Sequence, residues 1–269
     1  MEEVLDIPAA PAAKRRPLER ILKTLHLWEF AFQVRKFFCQ LLLVDAIRSA
    51  IAAIRYFLFA VILRRMRTLE PSTGDVITNT VSHNKKNIST FHELSVARSN
   101  LLLLPLAAIR VSKSAPILCV GPRTEGEMLN LSGLGFHNFR GLDLIAYSPW
   151  VDLGDMHAMP YKDNAFGIVI MGWVIAYSNN KKEASAEAIR VVRDGGLIGV
   201  GAEYINKSVE ETSTLLGYDL PITPIQSVTE MLEPFGGSVD RVLFSHDRPS
   251  TPCAKCDLMA IFSVKKGAM

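Results

Sequence analysis

A chain of 269 residues that is 49% hydrophobic is long enough for one substantial α/β domain plus a smaller segment, and too apolar to stay unfolded. Four cysteines in this length make no disulfide framework, and the opening MEEVLDIPAAPAAKRRPLER holds acids and prolines but no apolar run, which argues against a secreted scaffold and a secretory leader and for the reducing cytoplasm. The net charge of +3 is uneven: residues 1–67 hold 12 Lys/Arg against 6 Asp/Glu, leaving the remainder at −3, and an acidic remainder with no aromatic–basic motif makes nucleic acid an unlikely partner.

Residues 1–17, rich in Pro, Ala and charge, read as a flexible tail. Residues 18–69 contain neither proline nor glycine and predict one or two long helices. The most apolar part runs from Phe37 to Leu63, yet Asp45, Arg48 and Arg55 interrupt it, and a spanning helix needs roughly 20 apolar residues with few charges. At 100° per residue Asp45, Arg48, Ser49, Ala52 and Arg55 fall on one stripe, so the helix is amphipathic. Arg35 and Lys36 before it and Arg64, Arg65 and Arg67 after it suit a helix lying in the headgroup region of an anionic membrane, peripheral on its inner face. The alternative is that its apolar face packs on the rest of the chain, a second copy or another protein partner.

The turn-forming stretch 70–87 predicts a linker, and residues 88–269 a second domain. Thr90 three residues before Glu93 has capping-box spacing and predicts a helix from about Phe91, with Pro105 bending or ending it. From Ala115 strands and helices alternate. Strands are predicted at 116–121, 139–145, 166–172 and 196–204, with helices at about 125–132 and 181–193. VDRVLFSHD and CDLMAIFSVKK then read as a closing antiparallel pair. The expected fold is α/β: a Rossmann-like, doubly wound, mostly parallel sheet with a C-terminal antiparallel strand pair, preceded by an N-terminal helical segment.

In such a sheet a ligand binds beyond the carboxyl ends of the strands, at the switch point beside the first one. GPRTEG, residues 121–126, lies there. It lacks the Gly-Lys-Ser/Thr of a nucleoside-triphosphate loop and the GxGxxG of a dinucleotide site. Asp143 ends the next strand about 20 residues on, where an acid accepts hydrogen bonds from ribose hydroxyls. A ribose-bearing cofactor without a pyrophosphate satisfies both facts.

ILCVGPRTEGE, GLDLI, GDMHAMPYKDNAFGIVIMGWVIAYS and AIRVVRDGGLIGVGAEY together resemble the class I S-adenosylmethionine-dependent methyltransferases, in the broad subgroup that methylates small molecules. The resemblance covers residues 115–204 and, more loosely, the chain to 265. It implies S-adenosyl-L-methionine as cofactor and methyl transfer to a small-molecule or lipid-linked acceptor. Gly121 and the backbone of Pro122, Arg123, Thr124, Glu125 and Gly126 would border the cofactor's amino-acid end. Asp143 would bind ribose, Leu144 would lie against adenine, and Asp155 would take the adenine amino group with Met156 and His157 beside the ring. Gly172 and Trp173 would line the meeting place of donor and acceptor.

The chain departs from that pattern at three places. Cys119 stands where the family carries an acid two residues before the first glycine, the loop lacks its glycines, and Gly167 replaces an Asp. Glu125 or Glu127 is the candidate replacement acid for the cofactor's ammonium group, and Arg123 the candidate partner of its carboxylate. The altered loop keeps a second reading open, a catalytically inactive methyltransferase-like scaffold or regulatory protein. A nicotinamide- or sugar-nucleotide-dependent enzyme is the third, which the missing glycine fingerprint disfavours. More ordinary roles also stand: Asp143 as a turn cap, Trp173 as core. His157, Glu203 and Tyr204 are unranked candidate bases, so no catalytic residue is assigned. Cys253 and Cys256 form a lone CxxC, too little for a zinc site, and no metal is expected.

Overall fold

A computed structural model describes residues 27–69, 81, 84–85, 88, 97–109, 111–208, 211, 224–251 and 253–267. The expected tail, the start of the helical segment, most of the linker and the Thr90–Glu93 cap lie outside the described residues.

The first described helices are α1 (Leu27–Leu42) and α2 (Asp45–Tyr56), the second continuing as a π-helical turn over Phe57–Ile62. After β1 (Arg67–Thr68), a 3₁₀ turn over Ala97–Ser99 leads into α3 (Asn100–Ala108). Then come β2 (Ile117–Val120), α4 (Gly126–Gly133), β3 (Phe139–Asp143), β4 (Ile145–Ala146), β5 (Val151–Leu153) and β6 (Phe166–Gly172). The last elements are α5 (Lys181–Val191), β7 (Val192–Ile205), α6 (Val228–Leu232), β8 (Val239–His246) and β9 (Lys255–Val264).

Seven strands form one sheet in the order β5-β3-β2-β6-β7-β9-β8. The first five are parallel, β9 runs antiparallel to β7, and β8 antiparallel to β9. This is the expected doubly wound sheet with its closing antiparallel pair. β2 is buried throughout and β6 nearly so, as uninterrupted apolar runs require when helices cover both faces. One core layer joins Leu118, Met171 and Ile198 to α5 and α6. The other joins Ile117, Met128 and Ile170 to α3 and α4.

The expected boundaries shift at three places. Helix α5 stops at Val191 rather than about 193, and β7 begins at Val192 rather than at Gly196. Pairing with β6 jumps from Phe166–Val192 to Ile168–Leu197, so Arg193–Gly196 is a bulge, with Gly195 at φ +67°. Pro105 does not end α3, which runs one turn further to Ala108. Strand β5 lies in a stretch where no strand is predicted and pairs with β3; its three residues, Val151–Leu153, are too few for a periodic signal.

The sheet reverses its winding between β2 and β6, which sets the ligand crevice at their carboxyl ends, where Gly121 and Gly172 lie. The N-terminal elements close on this edge. β1 pairs with β4, which directly follows Asp143, and the Leu69 N–H donates to the Leu144 carbonyl at 2.9 Å. Helices α1 and α2 pack on α4.

Candidate active site

Gly121 turns the chain out of β2 at φ +65°, and its N–H donates to the Leu142 carbonyl at 2.8 Å. A Cβ here would lie 2.3 Å from Val174 Cγ1, so conformation and space both demand glycine. Arg123 follows at φ +53°. Its backbone N–H donates to Asp143 Oδ2 at 2.7 Å, while Asp143 Oδ1 accepts from the Ile145 N–H at 3.1 Å. Asp143 therefore caps the turn after its own strand and also pins the loop after β2. Burial pushes its carboxyl up, opposed by these backbone donors.

The loop's two acids have different fates. Glu125 is fully buried, and its carboxylate accepts from the Arg55 guanidinium and the Ser148 hydroxyl. Arg55 in turn lies 3.9 Å from the Trp150 ring centre. That arrangement commits Glu125 to fastening α2. Glu127 is 4% exposed, yet its Oε1 has no hydrogen-bond partner among the described residues. Its Oε2 lies 3.4 Å from where a Cβ on Gly172 would stand, across the switch point. The Cys119 thiol lies beside this carboxylate. Cys119, in place of the expected acid, thus sits beside an acid supplied from α4. Burial pushes the Glu127 carboxyl up to about 7, and burial, then Glu127 itself, pushes the Cys119 thiol up.

At the other side of the crevice, Asp155 Oδ1 lies 2.6 Å from His157 Nδ1 and accepts from the His157 N–H at 3.0 Å. His157 Nε2 lies 2.7 Å from Ser178 Oγ. A neutral ring gives its proton to the carboxylate side, so Nδ1–H faces Asp155 and Nε2 accepts from the Ser178 hydroxyl. Burial raises the Asp155 carboxyl, but the hydrogen bonds from His157 outweigh it and hold it below the ordinary value. Arg190 on α5 clamps the following turn by donating to the Met159 carbonyl at 2.9 Å and the Tyr161 carbonyl at 2.7 Å. Sequence reasoning missed this clamp; the signal was a lone Arg on the α5 face that meets the turn.

Trp173 sits just past β6 at φ +59° and is buried in the α3-side core layer, its indole N–H donating to Asp257 Oδ1 at 2.8 Å. Its ring packs on Gly201 and lies under Arg98. Of the other candidate bases, Glu203 is ion-paired with Arg98 and Lys255, and Tyr204 lies under Arg248. Leu144 packs with Ile145 and Tyr147, and Met156 against the α5-side core.

The sheet order and the closing hairpin are those of the methyltransferase Rossmann-like fold. Within that fold, residues 130–200 match a family described as a methyltransferase domain. No curated protein matches the chain. Among solved structures, a chain of the complex between the Haloferax volcanii Trm112 methyltransferase activator and a methyltransferase is similar at 14% identity and a TM-score of 0.52, over 72% of this chain and all of that one. An S-adenosylmethionine-dependent methyltransferase from Thermotoga maritima is similar at 15% identity and a TM-score of 0.44, over 71% of this chain and 99% of that one. The matched methyltransferase-domain family implies S-adenosylmethionine as the cofactor against which the site is tested. The unpartnered Glu127 Oε1 and the glycine-only turn at Gly121 fit it, because the cofactor's amino-acid end carries an ammonium group that needs an acid beside a close-approaching backbone.

Proposed function

We propose that this chain transfers a methyl group from S-adenosylmethionine to a small-molecule or lipid-linked acceptor, working on the cytoplasmic side of a membrane surface. The observation that carries the reading is Glu127, a buried acid with an unpartnered oxygen at the switch point beside Gly172. A buried polar atom without a partner costs stability, and a cationic ligand group relieves that cost.

In this reading Glu127 takes the ammonium group, and the backbone from Gly121 to Gly126 borders the amino-acid end. Arg123, anchored to Asp143, faces the carboxylate. Asp143 and Leu144 meet ribose and adenine, and Asp155 with Met156 the adenine edge. The bound cofactor supplies an electrophilic methyl group on a sulfonium. The chain's share is alignment and exclusion of water, since an in-line displacement gains most from positioning. Gly172, with no side chain, leaves room where donor and acceptor meet, and Trp173 supports that edge from the core. An acceptor that must lose a proton delivers it through Ser178 to His157 Nε2, with Asp155 stabilising the imidazolium.

Calorimetry of the full-length chain with S-adenosylhomocysteine tests the reading. Micromolar binding that Glu127→Gln and Asp143→Ala both weaken supports it. Absence of binding sinks the enzyme and leaves a scaffold with a methyltransferase fold.

A further inference from the structure

Helix α2 is mounted in an unexpected sense. Its polar stripe faces the protein from Arg48 onward: Arg48 is fully buried, its guanidinium donating to the exposed Asp45 and to the Leu42 carbonyl at 3.0 Å, and Ser49 and Ala52 are buried beside it. Arg55 on the same stripe reaches Glu125. The apolar side is therefore left outside. Of fifteen large hydrophobic side chains exposed among the described residues, twelve lie between Phe30 and Leu63. Phe30, Phe38, Ile54, Phe57 and Ile62 are each more than half exposed. A concentration of apolar surface on that scale marks an interaction site.

Charge selects the partner. Between residues 27 and 69 the acids are two, Glu29 in the first turn of α1 and Asp45, and Asp45 is taken by Arg48. Arg35, Lys36, Arg64, Arg65 and Arg67 are all exposed. A second copy of the chain docked through the same face would set these five cations against their own images with Glu29 alone in the segment to meet them. An anionic lipid surface accepts both the apolar side chains and the flanking cations. Shape agrees. Among the described residues no single helix is long and apolar enough to cross a membrane, and the two helices Glu29–Leu42 and Asp45–Ile62 are bent by 92°. A bent pair with an apolar outer side fits shallow insertion into one leaflet.

We propose that residues 30–67 form a wedge that inserts into one leaflet of an anionic bilayer and turns the ligand edge of the sheet toward the lipid, so that the methyl acceptor carries a lipid tail. The first half stands on the surface itself; the acceptor half rests on the methyltransferase reading. The wedge is fixed to that edge at three points. β1 pairs with β4 directly after Asp143, Arg55 holds Glu125 in the loop after β2, and Tyr56 and Phe59 pack with Ile145 and Tyr147.

The test is flotation of the full-length chain with vesicles of phosphatidylcholine alone or mixed with phosphatidylglycerol. Each sample is paired with S-adenosylhomocysteine calorimetry. The expected result is at least about tenfold more binding to the anionic vesicles. The variant Ile54→Asp/Phe57→Asp/Ile62→Asp changes three exposed side chains. It should lose that binding by at least about tenfold while keeping cofactor affinity and thermal midpoint. Added radiolabelled methyl donor should then label extractable lipid in anionic vesicles made from a total lipid extract. Flotation that is absent, equal on neutral vesicles, or unchanged by the triple variant overturns the wedge. So does a lipid-free dimer that the triple variant converts to monomer. Flotation without cofactor binding keeps the wedge and sinks the methyltransferase reading; cofactor binding without flotation does the reverse. Cofactor binding and flotation with no label in lipid overturn the lipid-tailed acceptor.

Discussion

Glu127 makes cofactor binding a titration. Its carboxyl is held at about 7 against an ordinary 4.5, by burial, and an ammonium ligand binds the ionised form. Between pH 5.5 and 7.5 the ionised share of such a group rises from about 3% to about 75%, so affinity should climb about 25-fold and a proton should be released on binding in the lower half of that range. The same shift acts on the free protein with the opposite sign. A folded-state pKa raised above the unfolded one gives stability that is complete below about pH 4.5 and is lost as pH rises through about 7, a fall of about 3 kcal/mol. Glu127→Gln removes both effects. It should stabilise the free protein near pH 7.5 relative to the parent and bind cofactor about 10- to 100-fold more weakly, the loss of one charge-assisted hydrogen bond. It should do so without the pH dependence. Calorimetry in two buffers of different ionisation enthalpy counts the proton, and urea titrations at pH 5 and 7.5 read the stability. Parent affinity that is flat from pH 5.5 to 7.5, with no proton exchanged, refutes the reasoning.

Two further substitutions probe how the loop after β2 is held. Gly121→Ala should destabilise the protein by about 2–4 kcal/mol, combining a left-handed φ with the collision against Val174; urea unfolding reads it, and adding Val174→Ala should return the steric part but not the rest. Arg55→Ala should cost about 3 kcal/mol, because it strands the fully buried Glu125 with Ser148 as its remaining hydrogen-bond partner among the described residues. Glu125→Gln in the same background should recover much of that loss, and a double-mutant cycle with strictly additive losses would show that the pair is not coupled.

The sheet was legible because its signals are local. FGIVIMG is an apolar run of strand length ended by glycine, and the structure places β6 over those same residues. Strand β5 was not legible, since three residues carry no period, and it exists through its pairing with β3. The acids of the site divide the same way. Asp143 announces itself by its place at a strand end. Which of Glu125 and Glu127 is available depends on Arg55, 70 residues earlier in the chain, and no local pattern encodes that pairing.

Helix α2 shows where pattern reading reaches its limit in physical terms. Periodicity finds the stripe of Asp45, Arg48, Ser49, Ala52 and Arg55 correctly, and amphipathicity then fixes that the two sides meet different surroundings. It does not fix which side meets the protein. The usual assignment puts the apolar side inward because burying a charge is expensive. Here the two arginines escape that expense, Arg48 through Asp45 and a backbone carbonyl, Arg55 through a carboxylate and the face of Trp150. With those contacts made, the protein side of the helix is satisfied by polar groups, and the apolar side is free to meet a second apolar phase. A chain that folded only in water would gain by the reverse mounting, since each large side chain buried contributes about 1.5–3 kcal/mol. The observed mounting is the one that the proposed leaflet contact requires.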